Sequence, residues 1–109
     1  MTEHFYGIED TKKLSGLREA RPETAKAFGE FNAAVFKEGA LSVKTKELIA
    51  IAAAHMTQCP WCIAAHTRKA KELGATVEEV TEAIWVAAAL RAGGSFAHGS
   101  IALGVMERK

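Results

Sequence analysis

The sequence predicts an all-α fold in one domain covering residues 1–109. Apolar residues recur at helical spacing through most of the chain, and no segment alternates apolar and polar residues for long enough to form a strand. Both prolines stand where helices could begin, and 109 residues is an ordinary length for one domain. We therefore expect a bundle of five or six helices without an internal repeat.

The first two helices are predicted from their start and stop signals. Asp10 is placed to cap a short helix over residues 11–20. Pro22 opens a longer helix that runs to residue 37, because its alanine, valine and phenylalanine residues fall near helical spacing. Gly39 follows as the signal that ends this helix.

The middle of the chain predicts two helices joined by a turn of a few residues. Ser42 suits the N-cap of a helix to about residue 56, and the stretch 48–54 within it is apolar on every face. A helix of that kind is buried. Pro60 suits the first position of the next helix, which ends at Gly74. Because the connecting turn is short, we expect these two helices to be antiparallel neighbours.

Two more helices are predicted after Gly74. Thr76 and Glu79 have the spacing of a capping box at the start of a helix over residues 77–91. The glycine pair at positions 93 and 94 is expected to end that helix. A last helix then extends to about residue 107.

Composition limits the functional classes. The net charge is +1 and no basic run or arm is present, so neither nucleic acid nor an anionic membrane is an expected partner. The longest uninterrupted apolar stretch, residues 83–90, is too short to cross a bilayer. Residues 1–16 lack the apolar segment of a signal peptide, so we expect a cytoplasmic protein. Apolar residues make up 49% of this short chain, which favours a homo-oligomer that covers some of them.

The informative segment is Cys59-Pro60-Trp61-Cys62, which His66 follows. A structural disulfide is unusual in the cytoplasm, so this spacing indicates either metal binding or redox chemistry. At a helix N-terminus the unpaired N–H groups favour the reactive thiolate, and the two sulfurs can approach closely enough to form a reversible disulfide. His66 lies one turn after Cys62, so it can exchange a proton with that thiol.

Glu47 is the fourth candidate residue. It shares an apolar stripe of its helix with Val43 and Ile51, where a carboxylate is costly unless it is paired or protonated. Such a group suits a proton shuttle. The antiparallel arrangement allows Glu47 to meet the face that carries Cys62 and His66, but the spacing does not require it. The alternative is a structural carboxylate paired with a lysine or arginine.

The pattern Glu47-x11-Cys59-x-x-Cys62-x-x-x-His66, followed by Gly74 and an apolar helix, resembles the core of the AhpD-like alkylhydroperoxidases of the carboxymuconolactone decarboxylase superfamily. The resemblance covers residues 42–103. It implies an all-helical fold, trimers or hexamers, and thiol-dependent reduction of a hydroperoxide substrate. It also implies that the glutamate, both cysteines and the histidine form a proton-relay site, which a dithiol or a lipoyl-bearing protein reduces. We expect no bound cofactor.

Two physical influences compete to decide which cysteine attacks the peroxide. The helix dipole favours Cys59, which is nearest the helix start, by roughly 0.3–1 kcal/mol. A positioned base favours Cys62, because His66 shares its face, and such a base contributes about 10²–10⁴-fold in rate. The sequence therefore predicts Cys62 as the nucleophile and Cys59 as the resolving thiol, and the resemblance implies the same assignment.

Other interpretations of these residues remain open. Cys59, Cys62 and His66 would make a zinc site if Glu47 or His98 supplied the fourth ligand, and the two thiols could also be a buried structural pair. The same residues would serve another thiol–disulfide oxidoreductase of this superfamily, or a non-enzymatic oligomer that binds metal or senses redox state. His98, near the start of the predicted last helix, either points into the thiol site or lies at the surface.

Overall fold

The computed structural model describes residues 12–109, and these residues form five α-helices. The helices are α1 (Ser15–Ala20), α2 (Pro22–Phe36), α3 (Val43–Thr57), α4 (Pro60–Glu72) and α5 (Val77–Glu107). No strand occurs in the described residues, so the predicted all-α class is confirmed. Asp10 and Thr11, the predicted start of the first helix, lie outside the described residues.

Helix α3 is the central element, because both α4 and α5 pack against it. Its start is fixed by Ser42, whose Oγ accepts a hydrogen bond from the Thr45 N–H at 3.1 Å, as predicted for an N-cap. Its end is fixed by Gln58, which adopts a left-handed φ of 57° and donates its N–H to the Ala54 carbonyl. This tight end reverses the chain, so α4 returns along α3.

The buried centre lies where α3, α4 and α5 meet. Its apolar members are Ile51, Ala54, Ala70 and Ala87. Ile49, on another face of α3, is 53% exposed. The prediction that α3 is buried all round is therefore wrong for the single chain, since only α4 and α5 pack closely on it and α2 touches it little.

Helix α5 corrects the prediction that a helix ends at the glycine pair. It is one helix of 31 residues that passes through Gly93 and Gly94, so the separate last helix does not exist. Of the described glycines, only Gly74 has a positive φ, of 87°. It follows the end of α4, as predicted. A glycine costs a helix about 1 kcal/mol relative to alanine, which the helix-forming residues on both sides of the pair offset, and no proline follows to stop the helix.

The start of α5 agrees with the prediction. Thr76 Oγ1 accepts a hydrogen bond from the Glu79 N–H at 3.1 Å, and the Thr76 N–H donates to Glu79 Oε1 at 2.9 Å. The two bonds complete the predicted capping box. Glu79 also pairs with Lys44 of α3 at 3.0 Å, which ties the start of α5 to the start of α3.

The far half of α5 projects away from the rest of the chain. Arg91 Nη1 donates a hydrogen bond to the Met56 carbonyl at 2.7 Å, which ties the middle of α5 to the end of α3. Residues 92–107 then continue for about 24 Å at a rise of 1.5 Å per residue. The radius of gyration is 18.4 Å, whereas a compact domain of this length has about 13 Å. The chain is therefore extended.

This extended shape leaves large apolar side chains uncovered on α2 and α5. On these two helices they are Phe28, Phe31, Val35, Val77, Trp85, Val86, Leu90, Phe96, Ile101, Leu103, Val105 and Met106. Phe96, the most exposed of them, is 89% exposed. Within residues 12–109, no helix combines the length and apolar character that a membrane crossing requires. A surface of this extent is typical of a protein–protein interface.

Candidate thiol site

Helices α3 and α4 bring Glu47 and His66 together. His66 Nδ1 and Glu47 Oε2 are 2.6 Å apart, a short hydrogen bond between residues that are 19 positions apart in the chain. The Glu47 side chain is 6% exposed and that of His66 is 27% exposed. The sequence allowed this contact but did not require it. The partner of the buried carboxylate is thus an imidazole, not the lysine or arginine of the alternative.

The hydrogen bond determines what the imidazole can do. With Glu47 ionised, Nδ1–H donates to the carboxylate, and Nε2 is left as the proton acceptor of the ring. When Nε2 takes a proton, the adjacent carboxylate stabilises the resulting cation. The pair can therefore accept and return one proton at Nε2, with the buried carboxylate behind the half-buried imidazole.

The cysteine pair occupies the start of α4, as the sequence predicted. Cys59 is the N-cap residue, and its Sγ accepts a hydrogen bond from the Cys62 N–H at 3.3 Å. Pro60 takes the first helical position, where its missing N–H costs no hydrogen bond. Both cysteines are free thiols and half-buried. The sulfur of Cys59 thus accepts the hydrogen bond that a side-chain oxygen usually accepts at a helix N-cap.

The surroundings shift the pKa values of the two thiols in opposite directions. A hydrogen bond from the Cys62 thiol, helped by the Cys62 N–H, lowers the pKa of Cys59. Conversely, the hydrogen bond with the Cys59 sulfur raises the pKa of Cys62, and burial and the Cys59 charge add to that effect. The first thiolate to form in the free dithiol is therefore on Cys59, and it holds the proton of Cys62 in a hydrogen bond.

A pH titration of alkylation tests this division. We expect iodoacetamide to label Cys59 with a midpoint below that of an ordinary thiol in Cys62→Ser, because the serine hydroxyl still donates to the sulfur. In Cys62→Ala the midpoint should rise, since the principal hydrogen bond that lowers the pKa of Cys59 is gone. Equal midpoints in the two variants would show that the backbone at the helix start alone controls Cys59.

One residue of the site escaped the sequence analysis. The ring of Phe36, the last residue of α2, stacks on the ring of His66, with centroids 5.2 Å apart and planes inclined by 17°. Phe36 is only half-buried. Nothing in the sequence distinguishes Phe36 from Phe28 and Phe31 of the same helix, since all three were part of one apolar pattern.

The other predicted candidate, His98, lies on the projecting half of α5. It is exposed, and its Nδ1 donates to the Gly94 carbonyl of its own helix at 2.8 Å. The structure therefore gives His98 the surface position that was one of its two alternatives. Across residues 12–109, no three histidine, cysteine, aspartate or glutamate side chains are grouped so as to hold a metal ion. A zinc site made from these residues would need their side chains to rearrange.

Comparison with known proteins identifies relatives of this chain. A sequence model of the carboxymuconolactone decarboxylase family matches residues 22–103. An uncharacterised protein of the cox locus of Paracoccus denitrificans is 53% identical over 81 residues, which is 74% of this chain and 73% of that protein. An uncharacterised protein of Cupriavidus necator is 33% identical over 76 residues, covering 70% of this chain and 67% of its own.

Two solved structures are similar to this chain in both sequence and fold. A crystal structure of a protein from Methanobacterium thermoautotrophicum superposes with a TM-score of 0.74 at 38% identity, covering 78% of this chain and 98% of that one. An apo carboxymuconolactone decarboxylase family protein from Legionella pneumophila superposes with a TM-score of 0.73 at 38% identity, covering 91% of this chain and 88% of its own.

Proposed function

Since the chain belongs to the carboxymuconolactone decarboxylase family, we propose that it is a thiol-dependent peroxidase of the AhpD-like kind. The observation that supports this best is the 2.6 Å contact between Glu47 and His66, because it gives the helix that carries the cysteine pair a proton acceptor backed by a buried carboxylate. A structural thiol pair has no need of such a partner. The proposed substrate is a hydroperoxide, and no cofactor takes part.

The first half-reaction oxidises one cysteine. His66 takes the proton of the Cys62 thiol, and the Cys62 thiolate attacks the terminal oxygen of the hydroperoxide ROOH. The O–O bond breaks, Cys62 becomes a sulfenic acid, and the leaving alkoxide takes the proton from His66 to give the alcohol ROH. Glu47 stabilises the imidazolium between the two transfers.

The second half-reaction uses Cys59, whose sulfur still faces the Cys62 N–H, a donor that lowers the pKa of Cys59. The Cys59 thiolate attacks the sulfur of the Cys62 sulfenic acid, a disulfide forms, and hydroxide leaves as water after protonation. An external dithiol, such as a lipoyl group on a partner protein, then attacks Cys62 and expels Cys59. A thiol of lower pKa leaves faster, and the Cys62 N–H that lowers the pKa of Cys59 supports Cys59 as the leaving thiolate.

The direct test is peroxide consumption by the purified protein with cumene hydroperoxide and dihydrolipoamide. We expect consumption that needs the dithiol and disappears in Cys62→Ser, which lacks the proposed nucleophile. Reduction of a disulfide substrate without peroxide consumption would instead identify another thiol–disulfide oxidoreductase. Stoichiometric zinc in the purified protein, together with inert thiols, would identify a metal-binding module.

We also infer that the working form is a homo-oligomer, a trimer or a hexamer, located in the cytoplasm, and that the chain is one domain. The cytoplasm keeps thiols reduced, as the cycle requires of its resting state. The assembly is supported by the projecting half of α5 and by the exposed apolar side chains on it, such as Phe96 and Ile101. Burying apolar surface between subunits stabilises the assembly by about 25 cal/mol per Å².

Sedimentation velocity at low micromolar concentration tests the assembly. We expect a single species larger than a monomer, and we expect Phe96→Glu to shift it to smaller species, because a charge would then be placed in the interface. Glu82→Gln, at an exposed polar position of the same helix, is the matched control. A stable and well-folded monomer of the unmodified chain would refute the proposal.

A further inference from the structure

Helix α2 reaches the thiol site through its last residue. Most of its large apolar side chains are exposed, including Phe28 and Phe31, and α2 touches α3 at few points. Phe36 is the exception, because it is half-buried and its ring lies nearly parallel to that of His66 at 5.2 Å. The end of α2 is thus placed against the site by a contact with a residue of the proposed proton relay.

Lys46 of α3 holds this end of α2 in place. Its Nζ donates to the carbonyl of Val35 at 2.8 Å and to the carbonyl of Lys37 at 2.5 Å. These carbonyls flank Phe36, and they belong to a helix end that leaves its last carbonyls without intrahelical partners. A cation at this end also complements the helix dipole. The backbone on both sides of Phe36 is therefore bound to one side chain.

The two contacts on His66 constrain it in different ways. The hydrogen bond from Nδ1 to Glu47 fixes one edge of the ring but permits the ring to turn about that bond. The flat contact with Phe36 restricts that turn, because tilting the imidazole would lose the stacked contact. Together they fix the direction of Nε2, the atom that takes the proton of Cys62 in the proposed reaction.

We propose that Phe36, held by Lys46 at the end of α2, is a positioning residue that fixes the plane of the His66 ring in the thiol site. The proposal rests on the proposed function for its effect on rate, but its effect on the ring is independent of that function. Lys46 directly precedes Glu47 on α3. One turn of that helix therefore supplies both the carboxylate that binds His66 and the lysine that binds the backbone around Phe36.

The test combines a rate with a spectroscopic signature. In single-turnover reaction with peroxide, we expect Phe36→Leu to slow disulfide formation about 10- to 100-fold, since displacement of a reacting group by about 1 Å can cost 10²-fold. Phe36→Tyr should retain the rate within about threefold, because it keeps the stacked ring. Lys46→Met should slow the reaction like Phe36→Leu, while Lys44→Met, which removes the cation of the remote pair with Glu79, should not.

The signature is the NMR spectrum of the His66 ring. In Phe36→Leu, and also in Lys46→Met, which keeps the aromatic ring but frees it, we expect its carbon-bound protons to lose the upfield ring-current shift, while long-range nitrogen correlations should keep the Nδ1–H tautomer that the bond to Glu47 fixes. Should the unmodified protein consume no peroxide, the proposed function fails, and the spectrum still decides the positioning role. Unchanged rates and unchanged His66 resonances in Phe36→Leu would overturn the proposal, and if that variant does not fold, Lys46→Met decides by the same two measurements.

Discussion

Cys59→Ser is expected to react with peroxide and accumulate a sulfenic acid on Cys62, whereas Cys62→Ser is expected to label slowly or not at all. The positioned base is the reason, since His66 can take the proton of Cys62 and contributes about 10²–10⁴-fold, or roughly 3–5 kcal/mol of barrier. The measurement exposes each variant to one equivalent of peroxide with a dimedone trap and locates the adduct by mass spectrometry.

The relative pKa values of the two thiols favour the opposite result, so this prediction separates two explanations of thiol reactivity. Cys59 carries the first thiolate in the free dithiol, so simple thiolate population would favour attack by Cys59. The proposed cycle instead makes Cys59 the resolving and leaving thiol, and His66 activates Cys62 by taking its proton. Rapid labelling of Cys59 in Cys62→Ser, with Cys62 inert in Cys59→Ser, would show that the helix start sets the thiol reactivity.

Glu47→Gln is expected to keep the fold and slow the reaction with peroxide by about 10²–10⁴-fold. Glutamine preserves the shape and can still hydrogen-bond to His66 Nδ1, but it carries no charge to stabilise the imidazolium. The measurement is single-turnover stopped flow, with circular dichroism to verify the fold. Glu72→Gln, an exposed carboxylate on α4, is the matched control and should react like the unmodified protein. A rate unchanged across pH in Glu47→Gln would leave Glu47 as a structural carboxylate.

Features that depend on local signals could be predicted from the sequence. The caps at Ser42 and Thr76 follow from a side chain and a backbone N–H three residues later, so spacing alone reveals them. The placement of Cys59 and Pro60 at the start of α4 follows from the same rules. The glycine pair misled the prediction because a stop signal acts only where the glycine uses its left-handed freedom, as Gly74 does.

Contacts between helices could not be predicted in the same way. The pairing of Glu47 with His66 depends on the register of α3 against α4, which the turn at Gln58 sets by a backbone conformation that no pattern reveals. The stacking of Phe36 on His66 depends on which turn of α2 reaches the site, and several apolar residues of that helix share the same spacing. These contacts are tertiary, so they needed the folded chain.

The central claim is that Cys59 and Cys62 cycle between dithiol and disulfide at the expense of peroxide. Mass spectrometry of the unmodified protein, alkylated after one equivalent of cumene hydroperoxide and again after dihydrolipoamide, tests it most directly. The account predicts two alkylated cysteines at the start, a Cys59–Cys62 disulfide in each chain after peroxide, and two alkylated cysteines again after the dithiol. Thiols that stay alkylatable in peroxide, or a Cys62 oxidised to sulfinic acid with Cys59 still free, would contradict it.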